Sequence, residues 1–223
     1  MKFVIKIDDY VYGEKETIWC ELFSMLEDKD IYASIGVIGH LSLVNFKVNQ
    51  DLKMKSLPRK VEIWNHGYEH ERGEFLGQDL SRQLTQIAKC HNAIKEIFGY
   101  EPLAFGAPFN DYDENTVNAC CELGYKYFFG AEYTKSVNAI KLDNLLTFET
   151  SKFYEEDEFY VNPVMSRFKK RYATAVQNGN PCVIQIHPRR WNLSGIKTFS
   201  MILDYIINDG GDFVSLSKAQ SNK

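Results

Sequence analysis

His66 and His70 stand four positions apart in Asn65-His66-Gly67-Tyr68-Glu69-His70, where a short expected strand, Val61 to Trp64, gives way to a loop. Two imidazoles at this spacing can reach one metal ion from a tight turn or a helical turn, and imidazole is the commonest protein ligand for zinc and similar ions. A lone H-x-x-x-H pair is more often two surface or core histidines than two ligands. Two further stretches change that balance. Lys6-Ile7-Asp8-Asp9 sets paired carboxylates at the end of the first expected strand, and Val183-Ile184-Gln185-Ile186-His187-Pro188 sets a histidine at the end of a late one. Taken alone, Asp8-Asp9 reads equally well as a turn-forming acidic pair.

The elements around these residues decide whether they can meet. Phe3, Ile5 and Ile7 alternate with Lys2, Val4 and Lys6, the period of a strand. Thr17 to Leu26 has helical spacing. Ile31 to Ile38 is a near-continuous apolar run of the kind found in parallel strands buried on both faces; His40, just beyond it, reads as a surface or supporting residue. Leu41 to Pro58 reads as polar and irregular. Asp79 to Phe98 is the clearest helix, with Leu80, Leu84, Ile87, Ile94 and Phe98 as its stripe and Gly99 as its terminator. His91 lies on that stripe and reads as a satisfied core histidine. Pro102 to Phe105, Lys126 to Gly130, Leu145 to Phe148, Pro181 to Ile186 and Phe213 to Leu216 read as strands. Asp113 to Leu123, Val164 to Gln177 and Thr198 to Ile207 read as helices, and Glu155-Glu156-Asp157-Glu158 as a solvated acidic loop.

Strands alternating with helices at this rhythm predict a parallel sheet, open or closed into a barrel. In that class functional residues gather at the carboxyl ends of the strands. Asp8, Asp9, His66, His70, Pro108 and His187 all fall at expected strand ends, and scattered surface residues would have no reason to share an edge.

The bulk properties narrow the function. A chain of 223 residues with 44% hydrophobic and 25% charged residues is expected to form one domain, residues 1–223, with a real core. The net charge is −4 and no basic run exceeds Lys169-Lys170-Arg171, which argues against nucleic acid as the main partner. No apolar signal region opens the chain, and it lacks the stretch of about 18 apolar residues that a membrane span needs. A cytoplasmic location is expected. The five cysteines, Cys20, Cys90, Cys120, Cys121 and Cys182, are odd in number and form no C-x-x-C pair, so reduced, mostly buried thiols are expected.

These residues resemble the polysaccharide deacetylases of NodB-homology type, carbohydrate esterase family four. Ile5-Lys6-Ile7-Asp8-Asp9 is similar to the family's strand ending in two aspartates. Asn65 to His70 is similar to its histidine pair, and Ile184-Gln185-Ile186-His187 to its strand ending in leucine-x-histidine. Gly106-Ala107-Pro108-Phe109 matches in part the family's R-x-P-aromatic segment. Leu123-Gly124-Tyr125 and a final helix, Gly-Gly turn and strand also fit, so the resemblance spans nearly the whole chain.

The resemblance implies a distorted (β/α) barrel of about seven parallel strands. It implies a divalent metal, Zn2+ with Co2+, Ni2+ or Mn2+ as alternatives, on Asp9, His66 and His70, with Asp8 as general base and His187 as general acid. A metal with three protein ligands keeps positions open for water and a substrate carbonyl, and zinc can lower the pKa of bound water from about 15.7 to about 7. Pro108, Phe109 and Trp191 are the expected substrate-contacting residues. The family's third-motif arginine, which orients the general base, is replaced by Gly106; Arg189 and Arg190 are the nearest cations in sequence that could stand in. The aspartate-tryptophan motif supporting the catalytic histidine has no clear counterpart between Leu142 and Asp157. With no leader, the resemblance points to an enzyme deacetylating an N-acetylated sugar or glycan precursor, as in O-antigen or capsule assembly, rather than one trimming chitin or peptidoglycan outside the cell. A hydrolase of another C–N bond, such as a cyclic amide or ureide, and a sugar-binding relative without activity are the other readings.

Overall fold

A computed structural model describes residues 1–14, 17–48, 57–130, 145–149, 161–178 and 181–220. Its centre is β1 (Lys2–Tyr10), which pairs in parallel with β2 (Ala33–Val37) and with β7 (Cys182–Ile186). Beyond β2 follow β3 (Val61–Asn65), β4 (Ala104–Phe105), β5 (Tyr127–Gly130) and β6 (Leu146–Glu149), giving the order β6-β5-β4-β3-β2-β1-β7. The two-residue β8 (Asp212–Phe213) pairs with the first residues of β1. Every pairing among the described strands is parallel. The sheet curls into a half-barrel, the expected distorted (β/α) barrel, with seven strands on its path and β8 beside it.

Helices follow the strands as β/α units: α1 (Thr17–Asp28), α2 (Gly39–Val48), α3 (Leu80–Phe98), α4 (Glu114–Glu122), α5 (Met165–Asn178), α6 (Leu193–Asn208) and α7 (Leu216–Gln220). The two sheet faces carry separate cores. Phe3, Ile5, Ile7, Ile35, Ile63 and Ile184 face the helices and pack with Trp19 and Phe199. Val4, Trp64, Ala104, Phe129 and Val183 form a second cluster on the concave face, joined by Leu216 and Ala219 of α7. The alternation of β1 therefore places Val4, Lys6 and Asp8 together inside the half-barrel.

Several elements differ from expectation. Gly39 to Val48 is helical, although Leu41 to Pro58 reads as irregular. Leu41, Val44 and Val48 of α2 are exposed, so the helix lacks the buried apolar stripe by which sequence marks one. The closing strand expected at Phe213 to Leu216 ends at Phe213, and Leu216 begins α7 instead. The acidic loop Glu155-Glu156-Asp157-Glu158 lies outside the described residues, as does most of the stretch between Leu142 and Asp157 where the aspartate-tryptophan motif would fall. α3 is as expected: the Asp79 side chain accepts the Arg82 N–H, and Gly99 takes the left-handed cap at φ 64°. His91 bonds the Tyr125 hydroxyl at 3.1 Å, the satisfied histidine the stripe suggested. The cysteines are free thiols, three of them buried. No described helix is long and apolar enough to cross a membrane.

Candidate metal centre

β1 does not end at the aspartates. Its pairing with β2 slips between Ile7↔Ile35 and Tyr10↔Val37, so three steps on β1 oppose two on β2. The extra residue makes a bulge, and Asp9 sits in it with left-handed backbone at φ 67°. Aspartate tolerates that region better than most side chains. In a regular strand Asp8 and Asp9 would point to opposite faces. The bulge turns both toward the carboxyl edge of the barrel.

The histidine loop reaches the same point. His66 leaves β3 buried, and its Nδ1 donates to the Gly106 carbonyl at 2.8 Å. A carbonyl can only accept, so the proton is on Nδ1 and the Nε2 lone pair faces inward. Nε2 of His66 is 3.3 Å from Asp9 Oδ1, and Nε2 of His70 is 2.9 Å from the same oxygen. One ligand atom from each of the three residues lies within 4.8 Å of the others. Ligands about 2.0–2.2 Å from a tetrahedral zinc are about 3.3–3.5 Å apart, so this donor set fits a divalent ion.

Burial pushes the Asp9 carboxyl up, but hydrogen bonds and charge from His66 and His70 outweigh it and hold Asp9 well below the usual carboxylate range. Burial pushes the His66 imidazole down, yet Asp9 and Asp8 raise it above its ordinary value.

Glu74 shapes the loop that carries His70. Its buried carboxylate accepts the backbone N–H of Tyr68 at 2.7 Å, of Glu69 at 3.2 Å and of His70 at 2.9 Å. Burial nevertheless leaves its pKa raised. His70 is left-handed at φ 59°, and Gly67 at φ 80° lies where a Cβ would stand 2.8 Å from both Glu74 and Pro108. Asn65, fully buried, fastens the loop from below, accepting the Gly67 N–H and donating to Ile87 O and the Tyr125 hydroxyl. His40 pairs with Glu69 at 2.7 Å and stacks on Tyr68, a supporting role at the loop's outer side.

Asp8 and His187 flank the trio. Asp8 Oδ2 is 3.6 Å from His187 Nε2 and 3.9 Å from His66 Nε2. Asp8 Oδ1 is buried and has no hydrogen-bond partner among the described residues. Burial lowers the His187 imidazole, with partial opposition from Asp8 and Asp9.

Phe109 stands at the rim, 41% exposed, its ring 5.0 Å from that of His70 and beneath the Arg72 guanidinium. Phe109 and Asn110 are both left-handed, at φ 58° and 54°, in the turn opened by Pro108. Left-handed backbone is costly for a bulky side chain, and such outliers cluster at functional sites. Trp191 does not join this group. It is 6% exposed and packs on Phe199 in the helix-side core, anchoring the Pro188–Arg190 turn that follows His187.

The cation beside Asp8 is not the one the sequence suggested. Arg189 pairs with Glu14 at 2.7 Å and Arg190 is exposed. Lys6 Nζ instead lies 2.8 Å from Asp8 Oδ2, with both side chains buried. The missed signal was the period of β1: residues 6 and 8 share a face, so a buried Asp8 implied a buried Lys6.

Fold and site together define a parallel half-barrel scaffold with a candidate metal centre at the carboxyl ends of its strands. The polysaccharide deacetylase family profile matches residues 3–128, more than half of the chain, and the chain belongs to that family. No curated protein matches the sequence. Solved structures share the fold at low identity. A family 4 acetyl xylan esterase from Clostridium thermocellum, in complex with a cobalt ion, is 15% identical over 98% of this chain and 90% of its own, with a TM-score of 0.61. A peptidoglycan N-acetylglucosamine deacetylase is 13% identical over 97% of this chain and 92% of its own, at 0.62. A family pseudoenzyme from Bacillus anthracis is 13% identical over 95% of this chain and 63% of its own, at 0.60. A mutant of that pseudoenzyme with restored activity is 12% identical over 98% of this chain, at 0.64, and the chain spans 66% of its length.

Proposed function

We propose that the protein is a metal-dependent N-deacetylase that removes acetyl from an N-acetylated sugar or glycan precursor. The observation that carries this reading is the meeting of Asp9, His66 and His70 at one point, with Asp8 and His187 beside it. Asp9 Oδ1 and the two Nε2 atoms would hold the ion, with Zn2+ first and Co2+, Ni2+ or Mn2+ as alternatives. A bound divalent ion supplies Lewis acidity at the acetyl carbonyl and acidifies water.

The protein's own groups divide the proton transfers. Asp8 takes a proton from the attacking water as the C–O bond to the acetyl carbon forms. His187 gives a proton to the nitrogen as the C–N bond breaks, releasing acetate and a free amine. Its lowered pKa makes the protonated imidazole a stronger acid for that step. Phe109 forms the wall on which a sugar ring would rest, and buried Pro108 opens the turn that holds it there. Trp191 contributes by holding the turn after His187.

The related esterase and deacetylase act on acetylated glycans, which supports an acetylated sugar here. A precursor substrate and a cytoplasmic setting, as in O-antigen or capsule assembly, belong to the same proposal. Gly106 in place of the motif arginine, together with likeness to a pseudoenzyme, favours a second reading: a sugar-binding relative without turnover. Acetate release separates them. Zinc-loaded protein should free acetate from at least one N-acetylated sugar among di-N-acetylchitobiose, N-acetylglucosamine and its nucleotide-linked form. Ammonia release from ureides with no acetate from any sugar would favour the other C–N hydrolase, and sugar binding without turnover the inactive relative.

A further inference from the structure

We infer that Lys6 is the positioning residue for Asp8, delivered along the same strand in place of a cation from the β4 loop. This inference rests on the deacetylase reading of the site. Lys6 is 1% exposed, and its Nζ touches Asp8 Oδ2 at 2.8 Å and Gln185 Oε1 at 3.1 Å. An ammonium is rarely buried unless it is paired. Here the pairing is to the carboxylate assigned as general base. Two aromatic faces complete the cradle, with Nζ 5.0 Å from the Trp64 ring and 5.6 Å from the Phe129 ring.

Packing explains why the cation comes from β1. The Trp64 indole lies across the barrel interior in space left by two glycines. A Cβ at Gly36 would stand 2.4 Å from it, and one at Gly106 2.8 Å from it and 3.1 Å from Phe129. With Trp64 in place, position 106 admits no side chain, so no cation can reach Asp8 from there. The same indole forms the floor under Lys6. Lys6, Trp64 and Gly106 are thus one arrangement: the glycines make room for the ring, and the ring seats the ammonium. Lys6 occupies one oxygen of Asp8 and leaves Oδ1, buried and without a partner among the described residues, to accept a proton.

The test compares Lys6→Met, which keeps the volume, Lys6→Gln, which keeps a donor without charge, and Lys6→Arg. All are loaded with Zn2+ and assayed on para-nitrophenyl acetate and di-N-acetylchitobiose. Lys6→Met should bind Zn2+ within about threefold of wild type while kcat falls about 100-fold, the low end for a positioned proton-transfer group, and KM stays within about twofold. Lys6→Arg should recover part of the loss and Lys6→Gln less. In an Asp8→Asn background Lys6→Met should cost nothing further, because the two act as a unit. An equal loss of kcat in both backgrounds, or no loss when Lys6→Met is made in the otherwise wild-type protein, would overturn the proposal. If Lys6→Met does not fold, the order of Lys6→Arg over Lys6→Gln decides the matter. If wild type cleaves neither probe, nor N-acetylglucosamine or its nucleotide-linked form, the deacetylase reading fails separately. Crystal structures of the zinc-loaded wild type and Lys6→Gln then judge the positioning role: a turned Asp8 carboxylate supports it and an unmoved one contradicts it.

Discussion

Asp9 Oδ1 and His70 Nε2 meet at 2.9 Å, and both residues arrive there from left-handed backbone, at φ 67° and φ 59°. The β1 bulge and the Glu74-bound loop are separate constructions that converge on one point. Removing the shared oxygen's charge should therefore undo the site without undoing the fold. Asp9→Asn should weaken Zn2+ binding by more than about 100-fold, beyond the roughly 10–100-fold typical of a ligand's hydrogen-bonding partner. Titration calorimetry would read this, and near-native affinity would remove Asp9 from the ligand set.

Glu74 holds three backbone N–H groups with one carboxylate. Glu74→Gln turns a donor toward those amides and strands at least one of them. A buried group left unpaired costs about 1–3 kcal/mol. Denaturant unfolding should show a loss of that size, together with a drop in Zn2+ affinity of about 10-fold or more. A variant losing stability with unchanged affinity would mean that Glu74 supports the loop but not His70.

Phe109 is costly to hold in left-handed backbone and is still exposed at the rim. That combination suits a surface kept for a ligand. Phe109→Ala should raise KM for an N-acetylated sugar by about 3–10-fold with little change in kcat, corresponding to an aromatic contact of about 0.5–1.5 kcal/mol. A fall in kcat alone would place the ring's role in the chemistry instead.

The pH dependence of the metal-free protein follows from opposite shifts in two histidines. His66 is raised above its ordinary 6.5, so its contribution is full below pH 6.5 and is lost as pH rises through the raised value. His187 is lowered, so its contribution is full above 6.5 and is lost as pH falls through the lowered value. Metal-free stability from this pair should peak near 6.5. Zinc needs His66 unprotonated, so the gain in melting temperature on adding Zn2+ should grow with pH through the window above 6.5. A gain that shrinks over that window would contradict the assignment of His66 as a ligand.

The parts of the fold that came through in sequence are those with strong periodicity. β1, β3, β7 and α3 bury regular apolar sets, and their ends carried Asp8, Asp9, His66, His70 and His187 to one edge. α2 did not come through, because Leu41, Val44 and Val48 lie toward solvent. β8 is too short to show a period, and α7 follows it at once. Within the site, the His66–His70 spacing was readable but the bulge was not: a bulge is a relation between two strands, and Ile7-Asp8-Asp9-Tyr10 alone does not show its partner. Glu74 and Lys6 were missed for different reasons. The contacts of Glu74 are to backbone, which any sequence offers. Lys6 carries an ammonium of the kind that ordinarily lies in water, although its strand period puts it beside Asp8. The concave face of this barrel has a charged pair at its heart.

The central claim is that Asp9, His66 and His70 hold a metal on which deacetylation depends. The most direct measurement is acetate release from di-N-acetylchitobiose and nucleotide-linked N-acetylglucosamine by protein stripped with chelator, then reloaded with one equivalent of Zn2+ or Co2+, beside His66→Ala treated identically. Stripped protein should release no acetate, reloading should restore release, and His66→Ala should neither bind the ion nor recover. Equal release by stripped and reloaded protein, or full recovery by His66→Ala, would contradict the account.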